Sequence, residues 1–122
     1  MGDLAPGGEA LIIAALAAGA YVSLHTGNPG TTGANEVAGN AYAREALGTV
    51  DQSGSNPTTG VNHADVTFPT ATGLWGSITY WGLWSAASGG IFYGGKAVTT
   101  AKTIDVGDVA RFPAGSLSLT GD

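Results

Sequence analysis

Few residues in this sequence are equipped for chemistry. It has two histidines, His25 in "YVSLHT" and His63 in "NHADV". On an extended chain His63 and Asp65 would share a face, and such a pair can move a proton. Acid–base catalysis would also need a nucleophile or a second carboxylate beside them, and the sequence places neither nearby. The two histidines fall on different expected strands and lack the ligand spacing of a metal site. Asp105 and Asp108 flank "VG" in "DVGD". That is a turn composition, without the series of oxygen ligands that a calcium loop requires. "GNPGTTG" (27–33) has glycines but no following Lys-Ser/Thr to hold a phosphate. No GxSxG elbow or triad order is found. Cysteine is absent, which excludes disulfides, thiolate metal sites and cysteine nucleophiles. These absences predict a protein that is not an enzyme, with no catalytic residue, no cofactor and no metal.

The aromatic residues are concentrated instead. "ATGLWGSITYWGLW" (71–84) holds Trp75, Trp81 and Trp84, and Phe92 and Tyr93 follow closely. On a strand over 77–85, Thr79, Trp81 and Leu83 would face one side, and Ile78, Tyr80 and Trp84 the other. Both faces are then apolar. Such a strand is either covered on both sides within its own fold or meets a partner on one. Rings are enriched at cores and at interfaces alike. Trp75, Tyr80, Trp84 and Tyr93 are therefore the candidate interface residues, and an exposed Trp75 and Tyr80 would also suit a glycan-binding module.

The elements that must position these residues follow from turn signals and periodicity. Residues 1–8 read as an irregular arm. Glu9 opens a run of helix formers ending at Gly19, with Leu11, Ile12, Ala15 and Leu16 on one broad apolar face. "AYVSLHT" (20–26) alternates as a half-buried strand. Residues 27–40 and 51–60 are rich in Gly, Asn, Pro and Thr and read as loops. Segment 41–50 leans towards strand, and 61–69 reads as a strand ending near Pro69. Residues 76–86 give the strongest strand, "SGG" (88–90) a turn and 91–98 its hairpin partner. Residues 102–122 hold two or three short strands. The expectation is a mainly β, sandwich-like domain over residues 9–122, with about seven short antiparallel strands and one short N-terminal helix.

The 122 residues carry 21 glycines, only 11% charged residues and a net charge of −5. The four cations, Arg44, Lys96, Lys102 and Arg111, are too few and too scattered for a phosphate-binding patch, so no nucleic acid is expected. A free soluble surface usually carries roughly 25–35% charged residues. This shortfall suits a subunit covered by partners. The apolar run 9–24 is broken by Gly19 and falls short of a membrane span, and Asp3 and Glu9 precede it where a signal peptide needs basic residues.

Three segments together resemble a family of short bacteriophage virion proteins described as tail-fibre-like. They are "YVSLHTGNPGTTGANEVAGNAYARE" (21–45), "VTFPTATGLWGSITYWGLWSAASGG" (66–90) and "ARFPAGSLSLT" (110–120). The resemblance implies a non-enzymatic structural subunit of the virion, assembled in the host bacterial cytoplasm. The sequence has neither a shaft repeat nor a coiled-coil heptad. That favours a capsid decoration protein, a homo-oligomer bound to the major capsid protein. The alternative is a minor tail protein or tail-fibre subunit bound to other tail proteins.

Overall fold

A computed structural model describes residues 19–48, 50–53 and 58–121. The expected helix over 9–18 and arm over 1–8 lie outside them. The described residues form nine strands: β1 (Tyr21–His25), β2 (Glu45–Ala46), β3 (Val50–Ser53), β4 (Thr58–Asn62), β5 (Val66–Thr67), β6 (Gly76–Trp84), β7 (Phe92–Ile104), β8 (Arg111–Phe112) and β9 (Ser118–Gly121). They pair antiparallel in three sheets ordered β2-β1-β6-β7, β3-β4-β9 and β5-β8. The expected mainly β, antiparallel architecture is what the chain adopts.

β1 and β6 are the inner strands of the larger sheet, in register from Tyr21↔Trp84 to His25↔Tyr80. Val22, Ser23, Leu24 and His25 are all buried, so both faces of β1 are covered. One face carries Val22 and Leu24 beside Leu83 and Trp81 and forms the main core. Phe68, Ala110 and Leu117 close it from the side of the β5–β8 ribbon. Phe68 meets Phe112 edge-on at 6.1 Å and stacks on Tyr42 at 6.3 Å.

Strict alternation along β6 fails at one point. Pairing steps from Ile78↔Lys102 to Tyr80↔Ala97, so one residue of β6 spans four of β7. Such a bulge shifts the pleat. Ile78 therefore joins Trp81 in the core, with 4% and 3% of their surfaces exposed. The expectation that Ile78 shares the other face with Tyr80 and Trp84 is corrected for this reason.

Two further segments differ from the sequence reading. Residues 51–60, read as a loop, contribute to the β3–β4 hairpin, in register from Val50↔Asn62 to Ser53↔Thr59. Segment 61–69 is not one strand. The chain bends after Asn62, whose buried amide donates to Ala64 O (2.8 Å) and Pro113 O (3.0 Å) and accepts from Leu117 N (2.9 Å). Three hydrogen bonds from one side chain satisfy backbone groups that a continuous strand would have paired.

Candidate functional site

The second face of the larger sheet carries Ser23 and His25 of β1 and Trp84 of β6. The loop 27–36 folds back over it, fastened by Thr26 N to Asn35 O (3.0 Å) and Val37 N to Leu24 O (3.0 Å). Pro29 of this loop is buried. Gly33 lies so close to the Trp84 ring that a Cβ would collide with it, and its φ of +78° is one that side-chain-bearing residues rarely adopt. Gly82 is needed for a similar reason, since a Cβ there would strike Phe92, Ser23 and His25.

Within this layer His25 Nε2 lies 2.7 Å from Ser23 Oγ, and Nδ1 lies 2.8 Å from Ala34 O. A carbonyl can only accept, so Nδ1 carries the proton and Nε2 accepts from the serine hydroxyl. Trp84 Nε1 in turn donates to Ser23 Oγ at 3.0 Å. Burial lowers the His25 pKa, outweighing the raising effects of its bond to Ala34 and of nearby Glu36. A serine hydroxyl bonded to a neutral imidazole is the arrangement of an activated nucleophile. Here both side chains are fully buried, and the serine oxygen is already occupied by the indole. The arrangement ties the loop to the sheet.

The rim of this layer is ionic. Arg44 donates from Nε and Nη2 to the two oxygens of Glu36 (both 2.9 Å). Its Nη1 reaches Ala86 O (3.0 Å) and Gly89 O (2.9 Å), and its guanidinium lies over the Trp84 ring, 3.8 Å from the centroid. Tyr42 Oη donates to Glu36 (2.7 Å) and accepts from Leu24 N (3.1 Å). Burial alone would raise the Glu36 pKa. The hydrogen bonds from Arg44 and Tyr42 outweigh it and hold the carboxyl below its usual range. Burial and the bond to Glu36 push the Tyr42 phenol up. Arg44 thus joins the loop 27–36, Trp84 and the turn after β6. The sequence reading missed this cluster. Its signal lies in "NEV" (35–37) and "YAR" (42–44), within the first of the three segments that carry the family resemblance.

The four candidate interface residues are dispersed. Trp75 is 5% exposed. Its backbone N donates to Ile104 O (2.9 Å), its Nε1 to Asn40 O (2.9 Å), and Tyr42 meets it edge-on at 5.4 Å. The expectation of an exposed Trp75 is corrected, because the turn before β6 folds onto the end of β7. Trp84 is half-buried under Arg44 and beside Phe92 (5.0 Å). Tyr93 packs against the core, and Tyr80 is half-buried opposite His25.

Ile91, 66% exposed, lies on the turn after β6, and the other exposed large apolar side chains lie elsewhere. Leu74 is 59% exposed, Val106 66% and Val109 46%. They sit on two loops joined by Trp75 N to Ile104 O, Gly107 N to Ala71 O and Ala71 N to Asp108 O. Leu74 and Val106 follow no strand or helix periodicity, so nothing in the sequence marks these two loops. Among the described residues, no group of three or more His, Asp or Glu is placed to hold a metal. No helix among them is long and apolar enough to cross a membrane.

Comparison with known proteins adds one match. Residues 5–120 match the family model described as podophage GP4 fiber I protein gp80. No curated protein matches the chain.

Proposed function

The chain belongs to the podophage GP4 fiber I protein gp80 family, and from that premise we propose that it is a non-enzymatic subunit of the phage tail fibre. It is a phage virion structural protein by family. The match over residues 5–120 is the observation that carries the reading, because the family is described as a fibre protein. The capsid-decoration reading favoured by the sequence gives way to its tail-fibre alternative on this ground. The physical chemistry agrees with a structural task. The Ser23–His25 pair is sealed, and the exposed apolar side chains of Leu74, Val106 and Val109 offer a contact for neighbouring virion subunits.

Deleting the gene from the phage tests the reading. The expected particles keep intact, full capsids and lose fibre density at the tail. Particles with complete fibres but unstable capsids would refute it.

A further inference from the structure

A groove of about 330 Å³ opens between β7 and the segment that carries β8. Leu24, Ile78, Trp81 and Ile104 line it, and Phe112 and Leu117 border it as well. A dry cavity of about 150 Å³ accepts one benzene-sized group, so this groove has room for about two apolar side chains. Three of the chain's four cations, Lys96, Lys102 and Arg111, also line it. Arg111 shares its charge with Asp65 at 2.7 Å. Lys102 is exposed and makes no hydrogen bond or ion pair among the described residues. In a chain of net charge −5, positive charge collects at this mouth. The groove fits an occupant that carries apolar side chains with acids beside them.

The turn between β7 and β8 has that composition. It carries Val106 and Val109, 66% and 46% exposed, with Asp105 and Asp108 next to them. Its shape is fixed in advance. Asp108 Oδ2 accepts from Asp105 N (2.9 Å), Asp105 Oδ1 accepts from Val106 N (2.7 Å), and Gly107 N donates to Ala71 O (2.8 Å). A segment held in this way loses little freedom when it docks. These bonds hold Val106 out in solvent, away from the groove of its own chain. Val109 lines that groove, so the turn and the groove share one face of the molecule.

We propose that the groove receives the 105–109 turn of a second copy of this chain. Because turn and groove lie on one face, two copies meeting about a twofold axis seat both turns at once. Val106 enters the apolar part of the groove, and Asp105 and Asp108 meet the cations at its rim. The contact is small, so its affinity falls in the micromolar range. Below that concentration it adds nothing to the melting temperature. This names the neighbour met by the exposed loops, and it rests on reading them as a subunit contact.

The chain has no cysteine, so single-cysteine variants report contacts between copies alone. Val106→Cys protein is mixed with Thr100→Cys protein, Thr100 being an exposed residue of the groove. A second mixture joins Ile91→Cys with Thr100→Cys. Ile91 precedes Phe92, at the opposite end of the β6–β7 pairing from Ile104. All three positions are exposed, so none of these changes should unfold the protein. Mild oxidation is followed by mass spectrometry. The disulfide joining the two variants should form about tenfold faster in the Val106 mixture, as the effective concentration in a seated pair requires. Equal rates would overturn the proposal. Sedimentation velocity on the purified chain at about 100 µM should show pairs, and Lys102→Glu should weaken pairing about tenfold. A monomer, a larger assembly or pairing indifferent to Lys102→Glu would overturn it equally. These measurements use the chain alone, so their failure leaves the tail location, which is tested on whole phage, standing.

Discussion

His25 and Glu36 make the layer over β1 sensitive to acid, and the direction can be worked out for each. Burial sets the folded-state pKa of His25 below its ordinary value of 6.5. The unfolded chain therefore binds a proton on His25 at a pH where the folded chain refuses it. The stabilisation is complete above about pH 6.5 and is lost as pH falls, by up to about 1.4 kcal/mol per pH unit. Glu36 is also lowered, so its contribution is present above its ordinary value of 4.5 and is lost below that. Thermal melts from pH 7.5 to 4 should show stability declining first below 6.5, and His25→Gln should flatten that first step. An unchanged profile in the variant would contradict the neutral, buried imidazole. Arg44 tests the rim. Arg44→Ala leaves the half-buried Glu36 without its charge partner and with the Tyr42 hydroxyl still donating to it, which should cost about 3 kcal/mol in denaturant unfolding. Arg44→Lys keeps the charge but loses the two-oxygen fork and the stacking on Trp84, so it should not restore the wild-type value. These residues were present in the sequence as "NEV" and "YAR", but their meeting was not legible. It depends on the reversal of the loop 27–36, which period-two or helical patterns do not encode.

β6 shows what strand periodicity reveals and where it stops. Its existence and the shared face of Trp81 and Leu83 follow from strand periodicity, and the structure makes that face core. The face of Ile78 does not, because three extra residues on the partner strand shift the pleat. Ile78→Ala should therefore cost about 2–5 kcal/mol, as for a core aliphatic residue, and Trp81→Ala about 3–5 kcal/mol. Chemical denaturation of both variants checks this. A loss below about 1 kcal/mol for Ile78→Ala would return that side chain to a surface face. The β3–β4 hairpin escaped the sequence reading for a different reason. Its strands, "VDQS" and "TTGVN", are rich in polar residues and glycine, and the pattern that marks a strand is weak there.

For the molecule as a whole, low charge leads one to expect a subunit covered by partners, and the chain belongs to a family described as a podophage fibre protein. The composition carried no information on which surface is covered. The aromatic residues drew attention first, yet Trp75 is in the core and Trp84 lies beneath Arg44 and the chain's own loop. We propose the exposed loops at Leu74, Val106 and Val109 as the contact in their place. Leu74→Asp with Val106→Asp should leave the melting temperature unchanged and reduce incorporation into particles, measured by quantitative blotting of purified phage. Normal incorporation would show that the contact lies elsewhere. As a proposed tail-fibre subunit, the protein should sit on the tail and not on the capsid shell. Gold-labelled antibody against the chain, applied to intact phage and read by electron microscopy, tests it most directly: label confined to the tail fibres is the predicted result, and label spread over the capsid shell would contradict it.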